Sequence, residues 1–188
     1  MLGDVSHKGT TVTPQRSSVR LVHVLVVVTA SVGLALSFSA VYVRTFGDPV
    51  VAVAPDAQEL IDRINAMRTE TSCPRVTANA SLVAAAQVQA DDMVARGYLS
   101  TVNPEDEDPM SRARAFGYPG GVTESFAAGL ARPSEVANQW TNLANPYATR
   151  VNQRIRDCDM VSIGIGHNTG SPLPDVAAHV WVMTLGDQ

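Results

Sequence analysis

The sequence predicts an α+β fold: an α/β/α sandwich around a small antiparallel sheet, preceded by one N-terminal transmembrane helix. Three observations carry this. Residues 21–43, LVHVLVVVTASVGLALSFSAVYV, contain no charged side chain and, at about 1.5 Å per residue, are long enough to cross a hydrocarbon core of roughly 30 Å. In the middle of the chain, apolar residues recur at helical spacing. The last third changes to short runs rich in β-branched and aromatic residues with a turn-forming segment between them.

Residues 1–20 form a polar tail holding Lys8, Arg16 and Arg20, whereas only Arg44 closely follows the apolar run. The positive-inside bias therefore places the N-terminus in the cytoplasm and the C-terminal domain outside, as in a single-pass cell-membrane protein. Small residues around Ala35-Leu36-Ser37 and Ser37-Phe38-Ser39 offer cleavage positions. The run exceeds the about 7–15 apolar residues of a secretory signal, however, which favours a retained signal anchor. His23, three residues into the span, reads as a neutral imidazole near the cytoplasmic interface. Residues 44–55, RTFGDPVVAVAP, read as a linker, with glycine and two prolines opposing a helix. The extracytoplasmic domain then occupies residues 56–188.

Within it, Asp56-Ala-Gln-Glu59 resembles a capping box, followed by Leu60, Ile61, Ile64 and Met67 on one helical face. Asn79 caps a second helix whose apolar face is Leu82, Ala85, Ala86, Ala90, Met93 and Val94, and Gly97 ends it. Asn103–Asp108, NPEDED, lacks the ligand spacing of an EF-hand and reads as a solvated acidic loop rather than a calcium site. A short helix, MSRARAFG, stops at Gly117, and Pro133-Ser134 opens another in which Val136, Ala137 and Trp140 share a face. Val161–His167 and Ala177–Leu185 form two antiparallel strands joined through the Gly170–Pro174 turn. The Gly164-Ile-Gly166 step lies inside a strand and lacks the third glycine and following helix of a dinucleotide site.

Composition excludes several chemistries. Lys8 is the only lysine, so the outer domain has no amine for a Schiff base, a phosphate-binding Walker loop or a Ser-x-x-Lys pair. Residues 45–188 hold ten arginines against seventeen acids, a formal balance of −7, which disfavours nucleic acid as a partner. The two cysteines, Cys73 and Cys158, read most simply as a disulfide in an oxidising compartment, with two free buried thiols as the alternative. Closing so long a loop is worth roughly 4–5 kcal/mol by chain entropy.

From Gln58 to Gly186 the order of motifs resembles the SCP domain of the cysteine-rich secretory and pathogenesis-related (CAP) superfamily in its short bacterial form. The residues that carry it are LIDRINAMR, which resembles the family's Asn-x-x-Arg helix, then ARGYLS, RARAFGY, TESFAAG, Trp140 before NPYATR, and the closing GIGHN and HVWVMTLG. The resemblance implies a cleft in which two histidines and a glutamate can hold a divalent metal. Here the histidine positions read Ser100-Thr101 and Asn145–Arg150, so only Glu124 survives. His167 and His179 sit on the terminal hairpin and read as hydrogen-bonded structural residues, although a site rebuilt from Glu124 and a histidine is conceivable.

A buried carboxylate needs a cation, hydroxyl or proton, and Arg150 is the expected partner of Glu124. Thr101, Glu124, Tyr147 and Arg150 are the candidate binding residues. No metal and no cofactor is expected, and the reading is a non-catalytic binding module at the cell envelope, its partner a protein, a cell-wall polymer or a lipid. One alternative is an envelope-directed hydrolase with Glu124 as general base. Ser100 and Ser125 lack a Gly-x-Ser-x-Gly setting or a suitably spaced histidine, so no serine triad is expected. The other alternative is a lipid- or sterol-binding protein.

Overall fold

A computed structural model describes residues 51–188 of the chain. The expected cytoplasmic tail, the span 21–43 and the linker as far as residue 50 lie outside the described residues. Among the described residues, no helix is long and apolar enough to cross a membrane. They form five helices and four strands: α1 (Pro55–Thr69), β1 (Thr77–Ala78), α2 (Ala80–Arg96), α3 (Pro109–Ala115), β2 (Val122–Ala128), α4 (Pro133–Thr141), α5 (Pro146–Ile155), β3 (Ser162–Asn168) and β4 (Val180–Gly186).

The strand order is β1-β3-β4-β2. The closing hairpin is as the sequence predicts, with β3 antiparallel to β4, and β2 runs antiparallel along the other side of β4. The sheet is not purely antiparallel, because the two residues of β1 pair parallel to β3. Local chemistry sets the helix ends. Asn79 accepts hydrogen bonds from the Ser81 and Leu82 amides at the start of α2, and Gly97 ends it at φ 70°, where only glycine is unstrained. Pro55 opens α1 one residue before the expected capping box, supplying the fixed φ suited to a first helical position. Asp108 caps α3 through the Ser111 amide.

Helices cover both sheet faces because side chains alternate along each strand. Ile163, Ile165, Trp181, Met183, Leu185 and Ala127 join Leu60, Ile61 and Ile64 of α1, Val136 and Trp140 of α4, and Val151 and Ile155 of α5 in the main core. Val180 and Val182 point the other way and pack with Ala86, Ala90 and Met93 of α2. Burying each large apolar side chain contributes about 1.5–3 kcal/mol. On the α2 side, β3 presents glycine: a Cβ on Gly164 would collide with the Leu82 carbonyl, and one on Gly166 with the Ala86 carbonyl. The missing side chains let the α2 backbone lie directly on the strand.

The Asn-x-x-Arg stretch of α1 is a backbone clamp. The Asn65 amide donates to the Val76 carbonyl at 3.1 Å and accepts from its N–H at 2.8 Å. Arg68, fully buried, donates to the carbonyls of Pro74, Ile155, Asp157 and Met160 at 2.6–2.9 Å. The Cys73–Cys158 disulfide, Cα–Cα 4.9 Å, joins the same two segments. Side chains also cap the sheet's rims. The Gln87 amide makes both hydrogen bonds to the His167 backbone on the outer side of β3, at 3.0 and 3.1 Å. The Tyr147 hydroxyl accepts from the Phe126 N–H and donates to its carbonyl on the outer side of β2, at 2.9 and 2.8 Å.

Gly166→Ala is expected to lower stability by about 2 kcal/mol or more, since the added methyl meets helix backbone rather than a movable side chain. Urea unfolding of the folded domain, compared with Ala at the exposed position Val88, measures it.

Candidate functional site

Glu124 lies on β2 directly opposite Thr184 of β4, on the face that α2 covers. Its side chain is 1% exposed. A carboxylate so enclosed is out of reach of bulk water, and each of its oxygens must be met by protein. Arg112 Nη2 donates to Oε1 at 2.8 Å and Thr184 Oγ1 donates to Oε2 at 2.9 Å. Arg112 comes from α3, which its own side chain ties to the preceding loop: Nη2 also donates to the Thr101 carbonyl at 2.7 Å, and Nη1 to the Glu107 carbonyl at 3.1 Å. Beneath this loop Gln89 of α2 donates to the Ser100 carbonyl at 2.7 Å.

Arg112, not Arg150, is therefore the partner of Glu124. Arg150 is exposed on α5 and makes no ion pair with the acid. The reason is the pleat: Glu124 points toward α2, whereas α5 packs on the opposite face, so a side chain on α5 cannot reach it across the sheet. The α5 residue that does approach is Arg154, which grips the Glu124 carbonyl at 2.6 Å and Ser125 Oγ at 3.1 Å from outside the sheet. Of the four expected binding residues, Thr101 and Glu124 meet through Arg112, with Thr101 contributing its carbonyl. Tyr147 is occupied at the rim of β2, two residues from Glu124, with its ring 5.9 Å from that of Phe126. Arg112 was legible only as part of RARAFGY, where nothing in the spacing marks which arginine turns inward.

The electrostatics follow from burial. Removal from water pushes the Glu124 carboxyl up to about 7, against the opposing pull of the Arg112 guanidinium and the Thr184 hydroxyl. A divalent metal does not fit this acid. Both oxygens are engaged, a guanidinium already stands where a cation would, and the histidine positions implied by the resemblance hold Thr101 and the Asn145–Arg150 segment. Among the described residues, no group of three or more His, Cys, Asp or Glu could hold a metal ion.

His167 and His179 lie at the other end of the hairpin and meet each other rather than Glu124: His167 Nε2 and His179 Nδ1 are 3.0 Å apart. His179 precedes β4 at φ 81°, so it breaks the alternation with Trp181 and Met183 that the sequence suggests. The acidic loop is organised by its own backbone bonds, with the Asn103 side chain accepting from the Glu105 and Glu107 amides.

The family model for the cysteine-rich secretory protein family, CAP, matches residues 61–185. The chain belongs to the CAP family. Solved structures share its fold at low identity. The CAP domain described here is similar to an outer surface protein from Borrelia burgdorferi (TM-score 0.61, 16% identity, 73% of this chain and 96% of that one). It is also similar to an extracellular protein containing an SCP domain from Bacillus anthracis (TM-score 0.58, 15% identity, 73% of this chain and 45% of that one). A third likeness is to a cysteine-rich secretory protein from Staphylococcus aureus (TM-score 0.51, 10% identity, 73% and 40%). The CAP chain thus spans less than half of the latter two. No curated protein matches it in sequence.

Two outcomes follow for the ion pair. Above pH 7, where Glu124 is ionised, Arg112→Met should cost about 3–5 kcal/mol by leaving a buried charge without its cation, and should open residues 101–107 to limited proteolysis. Between pH 4.5 and 7 the folded protein, with Glu124 near 7, binds more protons than the unfolded chain, in which the carboxyl titrates near 4.5. Stability from this group is therefore complete below pH 4.5 and is lost as pH rises through 7, by about 3 kcal/mol in all. Urea midpoints across that range should slope down in the native protein relative to Glu124→Gln.

Proposed function

We propose that this CAP protein is a membrane-anchored, extracytoplasmic binding module that acts by docking an envelope protein rather than by catalysis. The observation that carries the reading is the sealed acid. Glu124 has both oxygens engaged and is 1% exposed at its side chain, so it can neither take a proton from a substrate nor reach one in this arrangement. Similarity to an outer surface protein and an extracellular protein supports a location outside the cytoplasm. Residues 21–43 would supply the anchor, with residues 1–20 in the cytoplasm.

Surface chemistry supports a protein partner over the other two. The formal balance of −7 over residues 45–188 repels anionic wall polymers and anionic lipid headgroups. At the α4–α5 corner, by contrast, Leu143 is 63% exposed, Tyr147 is half-buried and Arg150 is exposed. Tyrosine and arginine beside an exposed apolar side chain are the composition of binding hot spots. Thr101, the remaining candidate, lies at the turn held by Arg112 and is half-buried.

The test is chemical cross-linking of the full chain in intact membranes, followed by purification in mild detergent. A discrete complex is expected, with cross-links at the α4–α5 corner, and Leu143→Asp with Arg150→Glu should reduce its recovery at least fivefold. Recovery of the free chain alone would refute a protein partner. Loss of a cell-wall-degrading activity of the purified full chain in Glu124→Gln would instead favour the hydrolase.

A further inference from the structure

We infer that the Cys73–Cys158 disulfide is a thiol-exchange site at which Cys158 is reversibly modified by a small aminothiol. The site is independent of Glu124 and of the docking surface. Its two sulfurs are not equivalent. Cys73 is buried at 7% exposure, whereas Cys158 is exposed in the turn that follows α5. That turn is fixed by the Asp159 N–H, which donates to Asp157 Oδ1 at 3.1 Å, and by the Met160 N–H, which donates to the Asp157 carbonyl. Which sulfur reacts in an exchange depends on access, so a nucleophile arriving from solvent meets Cys158.

The bond can open without releasing the fold because the same junction is held a second time. Arg68 of α1 crosses to the carbonyls of Ile155, Asp157 and Met160 at 2.6–2.9 Å, Arg156 pairs with Glu70 at 3.1 Å, and the Thr77 N–H donates to the Val161 carbonyl at 3.0 Å. None of these contacts passes through sulfur. Cys73 is kept in place by its own N–H, which donates to the Arg68 carbonyl at 3.1 Å. Its Sγ lies 3.3 Å from the Arg156 carbonyl, so a freed Cys73 thiol already has an acceptor. In the exchange, a thiolate attacks Cys158 Sγ, the new sulfur–sulfur bond forms as the Cys73–Cys158 bond breaks, and the electron pair leaves on Cys73 Sγ, which takes a proton from water. One disulfide replaces another, so no separate oxidant or reductant is consumed. Attack by Cys73 in the reverse direction expels the small thiol and restores the native bond. Charge selects the reagent. Asp157 and Asp159, both exposed, flank Cys158, and the Arg156 guanidinium is taken up by Glu70. The two acids repel an anionic thiol and attract one that carries an ammonium group, within the roughly 10 Å reach of such forces at 0.1 M salt.

The experiment treats the full chain in detergent at pH 8 with cysteamine or, separately, with 2-mercaptoethanesulfonate at equal thiolate concentration. Samples are quenched with acid at intervals and mapped by peptide mass spectrometry. The first adduct is expected on Cys158 while the near-ultraviolet circular dichroism of the fold is retained, and cysteamine should react at least threefold faster at low salt. In the fully reduced chain, N-ethylmaleimide should label Cys158 at least tenfold faster than Cys73 under native conditions, and reversal of that order would overturn the site. A first adduct on Cys73, or a bond that opens only when urea has removed the fold, would overturn it equally. Equal rates for the two thiols, or faster reaction of the sulfonate, would overturn the choice of an aminothiol.

Discussion

A carboxylate taken out of water must be answered, and the answer to Glu124 organises one side of this domain. Arg112 crosses from α3 to reach it and in the same gesture collects the carbonyls of Thr101 and Glu107. One guanidinium thus neutralises a charge, fixes the chain that leaves α2, and orients α3. Thr184, on the neighbouring strand, takes the second oxygen. A metal ion could hold an acid equally well, but it would leave open positions for water or substrate. A guanidinium has no such positions. With Arg112 in that place, the acid is part of the framework that holds α3 and the loop before it.

The same sheet face is also governed by how closely helix and strand approach. Glycine at positions 164 and 166 removes the side chains that would separate α2 from β3, so the helix rests on the strand's backbone. The position of α2 then determines where Gln89 meets the Ser100 carbonyl and where Gln87 meets the rim of β3. At the far pole, Asn65, Arg68 and the disulfide bind the segment after α1 to the segment after α5. An asparagine and an arginine one turn apart in the sequence are engaged with carbonyls and an amide of their own chain.

Features written in local chemistry were legible in the sequence. α2 carries its own cap and its own terminating glycine, the hairpin carries β-branched runs around a proline-rich turn, and the even cysteine count points to the disulfide that forms. What escaped depends on contacts between distant segments. β2 is a mixed run of polar and small residues that becomes a strand only because β4 pairs with it, and β1 is two residues long. α5 had readable signs, with Asn145 before Pro146 and Val151 four residues from Ile155, but they sit in a stretch otherwise taken up by its likeness to a family element. For the acid at 124, burial was foreseeable and the partner was not. Arg112 and Arg150 are equally charged, and only the direction of the pleat, set by pairing with β4, decides which can reach it.

The caps on β2 and on the far end of β3 bear on how the domain meets its own copies. Unpaired strand rims invite neighbouring chains to add themselves, one after another. Here a tyrosine hydroxyl and a glutamine amide already occupy the backbone groups of Phe126 and His167 that such an addition would need. At these two positions a neighbouring copy therefore finds no free backbone pair on which to add a strand.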